Sequence, residues 1–159
     1  MIFIGIDPGS SGGGLAAVND HGDAVAAKMP QTARDLYDTV DSLVAKLSVE
    51  GQNDRVYAVL EIVGPRPKEG GMSSFKFGQN YGFCEMVLVA HKLPHALVRP
   101  VVWQKKVGIT RRPKEEKTPW KNRLKAEAQR VFPHLDVILA TADALLIARY
   151  AQDTCPFGP

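Results

Sequence analysis

Cysteine is scarce in this chain. Of 159 residues only Cys84 and Cys155 carry a thiol, they form no C-x-x-C unit, and no histidine stands at zinc-ligand spacing from either. That argues against a structural zinc, and both thiols are read as reduced. Long apolar runs are missing as well: none approaches the ~18 residues that span a bilayer. The opening "MIFIGID" has no basic n-region and no cleavage site, so the expectation is a cytoplasmic protein with no membrane segment. Internal repeats, low-complexity blocks and a linker long enough to divide the chain are absent too, which predicts a single domain over 1–159. With 45% hydrophobic and 23% charged residues, that domain has the composition of an ordinary globular protein and the length to bury a substantial core.

A large excess of one charge is also lacking, the net value being +3, but the distribution is uneven. From Gln104 to Lys125 nine basic residues (Lys105, Lys106, Arg111, Arg112, Lys114, Lys117, Lys121, Arg123 and Lys125) stand against Glu115 and Glu116, a local balance of +7. The remainder holds eleven basic against fifteen acidic residues, or −4. An acidic body carrying one basic segment points to a polyanion partner and a separate acidic site, against the plainer alternative of a solvated loop and helix face.

What is present is a succession of strand and helix signals. "MIFIGID" is β-branched and apolar up to Asp7, where "PGSSGGG" breaks it, so a buried strand ends at Asp7. "LAAVN", the turn "DHGD" and "AVAAKM" follow as a hairpin. Leu36, Val40, Leu43, Val44 and Leu47 repeat at helical spacing and predict an amphipathic helix from Thr32 to about Leu47. "RVYAVLEIV" is a second buried strand with Glu61 near its end, and "GPRPKEGGMSS" is a loop whose centre is expected to be mobile. A helix from about Ser74 to Lys92, the short strand "ALVRP", a helical turn "VVWQKKVG" and a basic loop "ITRRPKEEKTP" come next. The last helices are expected over about Trp120–Val131 and Ala140–Ala151.

This order, βββ-α-β-α-β-α-α, resembles the ribonuclease H-like fold: α/β, with a mixed five-stranded sheet and helices on both faces. In that arrangement strands one and four are neighbours about 4.8 Å apart, so Asp7 and Glu61 share one edge of the sheet. Asp143 stands inside the apolar helical run "LATADALLIARY", where a carboxylate is either a paired core charge or a ligand. A helix crossing the sheet edge would add Asp143 to the other two acids. Like-charged carboxylates in contact stay ionised only if cations hold them together. Two Mg2+ about 3.5–4 Å apart are the usual arrangement for in-line phosphodiester cleavage.

"GIDPGSSGG" at 5–13, "LEIVGPRPKEGGMSSFKFGQNYG" at 60–82, "VRPVVWQKKVG" at 98–108 and "ADALLIARY" at 142–150 together resemble the RuvC-type Holliday junction resolvases, the phage members most closely. "GIDPG" alone also opens sugar kinases and actin-like ATPases, but 159 residues are too few for their two lobes. The resemblance implies a homodimeric endodeoxyribonuclease that places paired, symmetric nicks in four-way DNA junctions. It further implies two Mg2+ or Mn2+ per active site and a location in the cytoplasm of a bacterial or phage host cell. Asp7, Glu61 and Asp143 fall on the family's acidic positions, as catalytic residues and metal ligands. The family's fourth acid lies about one helical turn before Asp143, where this chain has Ala140, so cleavage by the chain as written is expected to be slow.

The resemblance also places basic residues near the scissile phosphate: Lys105, Lys106, Lys117 and Lys121. Lys121 is favoured as the catalytic one, because a helix N-terminal turn would add its own partial positive charge. Arg66 and Lys68 are expected to touch phosphates, and Arg111, Arg112 and Lys114 complete the DNA-binding set. Lys76 and Gln79 lead into the helix beside the junction, flanked by Phe75 and Phe77. These rings either wedge into DNA or pack in the core, the core reading being the stronger for Phe77. Gly78 and Gly82 would admit a close helix, either from a second subunit or, more often at this spacing, within the chain. Trp103 and Trp120 could stack on bases, a core or hinge role being favoured for Trp103, and the four histidines show no ligand spacing. Three other functions share these residues: a branched-DNA binding protein impaired in cleavage, a ribonuclease H-like nuclease for flaps or hybrids, and, least of all, an ATPase-like lobe.

Overall fold

The apolar opening forms β1 (Ile2–Asp7), and the glycine-rich turn after it leads into a hairpin of β2 (Gly14–Asn19) and β3 (Ala24–Lys28). β4 (Val56–Glu61) and β5 (His95–Val98) complete one sheet of order β3-β2-β1-β4-β5. The hairpin strands are antiparallel, whereas β4 runs parallel to β1 and β5 parallel to β4. The structure, a computed structural model, describes residues 1–49, 54–64 and 70–157.

β1 is buried at every position because it lies mid-sheet between two apolar layers. Strand alternation sorts its side chains. Ile2, Ile4 and Ile6 join Ala58, Leu60, Leu36, Leu43 and Leu88 on one face. Phe3 joins Tyr57, Val59, Trp103, Leu124 and Leu145 on the other. Asp7 and Glu61 have the parity of Phe3 and Val59, and they stand one step beyond the paired residues Ile6 and Leu60. Period and register together therefore bring both acids to the same end of the same face.

The first face is covered by α1 (Ala33–Leu47) and α2 (Gly71–Ala90), the second by α3 (Pro100–Lys106), α4 (Lys117–Val131) and α5 (Leu139–Thr154). The expected mixed sheet with helices on both faces is thus the observed one. Thr32 caps α1, its hydroxyl accepting from the Asp35 N–H at 3.1 Å. Two helices start a turn earlier than periodicity alone suggests. α2 begins at Gly71 rather than Ser74, and α4 begins at Lys117 rather than Trp120. Pro119 does not stop α4, because an N–H in the first turn has no intrahelical partner to lose.

α5 lies unusually close to the sheet. A Cβ on Gly5 would come within 2.2 Å of the Ala144 carbonyl oxygen, and one on Gly14 within 2.4 Å of the Ala140 carbonyl oxygen. These two glycines let the helix backbone rest on the strand backbone, and Thr141 through Ala148 are all buried. Among the described residues no helix is long and apolar enough to cross a membrane.

Candidate active site

Asp7, Glu61 and Asp143 are 8%, 6% and 4% exposed, three buried acids among mainly apolar neighbours. Burial raises the Asp7 pKa well above its ordinary value, and the charges of Asp143 and Glu61 push it further. Glu61 is raised too, chiefly by burial, against hydrogen bonds with Asp7 and Trp103 that favour its ionised form. Both carboxyls therefore resist ionisation in the metal-free fold, burial being the main cause for each. Asp143 reaches the cluster from α5, one of its oxygens accepting from Lys121 Nζ at 2.6 Å. Its other oxygen, Oδ1, is buried and has no hydrogen-bond partner among the described residues. Burial opposes the charge on Lys121, but Asp143 and Asp7 outweigh it and the pKa of the ammonium rises.

An open cleft of about 520 Å³ lies over Asp7. Its walls are the loop Pro8–Gly13, Ser73, Lys76 and Phe77 of α2, Lys117 and Lys121 of α4, and Leu139 and Ala140 of α5. The loop is pinned in place. The Gly9 N–H donates to the buried Asn80 Oδ1 at 2.8 Å, and Gln31 Nε2 donates to the Ser10 carbonyl at 2.6 Å. Gly13 has no room for a side chain, since a Cβ there would lie 2.2 Å from the Asp7 carbonyl oxygen. Ala140 faces this cleft one turn before Asp143 and contributes no oxygen.

The residues singled out in the sequence separate into groups. Lys76, Lys117 and Lys121 meet at the cleft with Asp7. Lys117 occupies the first position of α4, so Lys121 stands in the second turn, not the first, and the helix-terminus argument applies to Lys117 instead. Lys105 and Lys106 are exposed at the end of α3, off the cleft lining. Arg111, Arg112 and Lys114 are exposed on the loop before α4, where Arg111 donates to the Glu115 carbonyl at 2.7 Å. Arg123 pairs with the Glu115 carboxylate at 2.8 Å, so part of the +7 segment is neutralised within the chain. Arg66 and Lys68, with the centre of their loop, lie outside the described residues.

Phe75 is 69% exposed, while Phe77 is half-buried in the cleft wall. Among the described residues Gly78 and Gly82 serve no close contact: a Cβ at either meets nothing within 4 Å, and both are exposed on α2. Trp120 is buried with the Arg123 guanidinium 5.3 Å from its ring centroid, which removes it from base stacking. Trp103 is fully buried, in the core as expected, but its Nε1–H donates to Glu61 Oε1 at 3.1 Å. That contact and the Asn80 contact join residues 42 and 71 apart, beyond the reach of local spacing.

No protein-family model matches the chain, and no curated protein matches it. Solved structures do. The structure of T. thermophilus RuvC in complex with a Holliday junction substrate superposes with a TM-score of 0.60 at 16% identity, covering 96% of each chain. A further structure of Thermus thermophilus RuvC gives 0.55 at 17% identity, again over 96% of each. The chain has the RuvC fold. These two structures support the RuvC-like fold and do not reach the narrower likeness to phage members. Near-complete coverage in both directions means that the RuvC fold accounts for the mixed sheet and the flanking helices together.

The carboxylate cluster fits a hard divalent cation in its donors: three oxygen-bearing acids, one with an unpartnered buried oxygen. It is not preassembled, since among the described residues no group of three His, Cys, Asp or Glu side chains is spaced to hold an ion. The partners already in place explain this. Lys121 holds Asp143, and Trp103 holds Glu61.

Proposed function

We propose that this chain is a metal-dependent, structure-selective DNA endonuclease that acts on four-way junctions as a homodimer and cuts by phosphodiester hydrolysis. The observation that carries the reading is the buried acid cluster whose Asp7 opens onto a cleft rimmed by lysines, with an Asp143 oxygen left without a partner among the described residues. Burying three carboxylates together opposes folding, and nothing in the packing of the core requires it. A site for polyphosphate backbones accounts for both the acids and the surrounding cations.

Asp7, Glu61 and Asp143 would hold two Mg2+ or Mn2+. When bound, these ions supply Lewis-acid stabilisation of the phosphoryl oxygens and a nucleophilic water at neutral pH. The protein's own groups do the rest. Lys76 and Lys117 flank the cleft and bind the phosphates on either side of the scissile one. Lys121 neutralises Asp143 in the free protein, and on the same flexible stem it reaches the non-bridging oxygens of the substrate. The pinned loop Pro8–Gly13 keeps the backbone beside Asp7 rigid, so the first carboxylate does not drift from the phosphate. Phe75, exposed on the helix that bounds the cleft, is placed to stack on an unpaired base.

The dimer rests on α2. Met72, Met86 and Val89 are exposed along this helix, and Gly78 and Gly82 leave its backbone open to a second helix. A two-fold dimer carries two cleavage sites related as the arms of a junction are, which gives paired symmetric nicks. A second reading keeps the binding and weakens the chemistry: Ala140 lines the cleft where a fourth carboxylate would complete the set, so the chain is a slow nuclease. The test is a gel assay with labelled four-way junction, duplex, flap and RNA–DNA hybrid, with and without Mg2+. Preference for the junction, lost steeply as salt rises, together with Mg2+-dependent symmetric nicks, is the expected result. Equal affinity for junction and duplex at ~150 mM salt contradicts the junction assignment. Cleavage confined to flaps or hybrids contradicts it in favour of another nuclease.

A further inference from the structure

Glu61 is, among the described residues, the acid of the cluster held by a neutral donor. Trp103 is fully buried on α3, and its indole N–H points at Glu61 Oε1 from 3.1 Å. Tryptophan has a single side-chain donor and no acceptor, so the contact has only one polarity. It ties one oxygen of Glu61, Oε1, in place. The comparison with Asp143 is instructive. Lys121 supplies a full positive charge there, which a metal must displace or share, whereas an indole N–H fixes the carboxylate without cancelling its charge. The helix that carries Trp103 ends in Lys105 and Lys106, both exposed. A seven-residue helix thus bears a buried group on an acid of the site and two cations in solvent.

Resting on the nuclease reading above, we propose that Trp103 is the positioning residue of the metal site, orienting Glu61 through its hydrogen bond to Oε1. It touches neither substrate nor reacting atoms, and it acts through Glu61. Groups that orient ligands in this way typically contribute 10–100-fold to metal affinity. Glu61 without the indole would rotate about its terminal bond and would leave a buried oxygen unsatisfied.

The chain has two tryptophans, so the indole region of a 1H–15N spectrum holds two side-chain cross-peaks, from Trp103 and Trp120. Titration with Mg2+ should move the Trp103 peak well beyond the Trp120 peak, a response that a packing role alone would not give. Calorimetry with Mn2+ should show Trp103→Phe binding about 10-fold more weakly than the wild-type chain, with kcat largely recovered at saturating metal. Phe132→Leu, a core change remote from the acids, serves as a control of lowered stability and should keep wild-type affinity. Should Trp103→Phe fail to fold, site-specific benzothienylalanine at 103 replaces the N–H with sulfur at nearly the same shape and should show the same loss. A wild-type chain that takes up no Mn2+ contradicts the nuclease reading itself. One that binds Mn2+ with the Trp103 peak unmoved, or with unchanged affinity in both replacements, leaves that reading in place and overturns the role of Trp103.

Discussion

Helices α2 and α5 are both rich in apolar residues, yet they lie in opposite circumstances. α5 rests on a sheet thinned by Gly5 and Gly14 and is backed by α4, so nine of its sixteen residues are buried, Asp143 among them. α2 spans twenty residues and buries only Asn80, Cys84, Val87 and Leu88. Its Met72 is 71% exposed. The contrast shows what an out-of-place residue means in each setting. A charge buried within α5 must be held by something, and the oxygen of Asp143 that lacks a partner among the described residues is what the proposed metal site would use. An apolar residue left outside on α2 opposes no local structure, and a row of them is the surface on which the proposed dimer rests.

The largest effect separating the two helices is expected at the acids that α5 completes. Asp7→Asn should remove detectable cleavage of a labelled junction while the gel-shift affinity remains. It should also leave thermal stability level or higher. Asp7 and Glu61 titrate above their ordinary 3.8 and 4.5 in the fold, so from about pH 4 upward the metal-free folded chain holds more protons than the unfolded one. Stability therefore falls as pH rises through the folded values, and calorimetric scans should show that decline flattened in Asp7→Asn. Loss of the fold in this variant would count against the assignment.

Next comes the gap on α5 itself. Ala140→Asp places a carboxylate in the cleft one turn before Asp143, and single-turnover cleavage across a Mg2+ titration should accelerate by roughly 10²-fold, the scale of one preorganised charged group. A wild-type chain already fast at low Mg2+, with no gain in the aspartate form, would show that three carboxylates suffice.

These residues illustrate what the sequence makes legible. Asp7 and Glu61 end apolar strands, and Asp143 interrupts an apolar helix, so each stands out against its own segment, and the order of elements is enough to bring the strand ends together. Trp103 and Asn80 look like any core tryptophan and any mid-helix asparagine. Their roles exist only through Glu61 and Gly9, which packing supplies and periodicity does not. The direction of Gly78 and Gly82 was hidden for a related reason: glycine spacing reports that a helix can be approached, not from which side. The early starts of α2 and α4 escaped because glycine and proline weigh against a helix on propensity alone, and the contacts of later turns override it.

A smaller effect tests the seat of α5. Gly5→Ala forces a methyl into the backbone of Ala144 and Ala148 and should lower the unfolding free energy by about 3 kcal/mol in urea titrations. The smallest change in stability is expected on α2. Met86→Glu with Val89→Glu should leave the melting temperature within a few degrees while sedimentation shows a monomer in place of a dimer. A wild-type chain that sediments as a monomer at every concentration contradicts the dimer directly.

The buried acids can be tested without any substrate by anomalous diffraction from crystals soaked in Mn2+. The expected result is a Mn2+ peak ligated by Asp7, Glu61 and Asp143, with Lys121 withdrawn from the Asp143 carboxylate. Lys121 still on Asp143, with Mn2+ absent from the cleft or bound elsewhere on the surface, would show that the cluster is a paired core charge and no metal site.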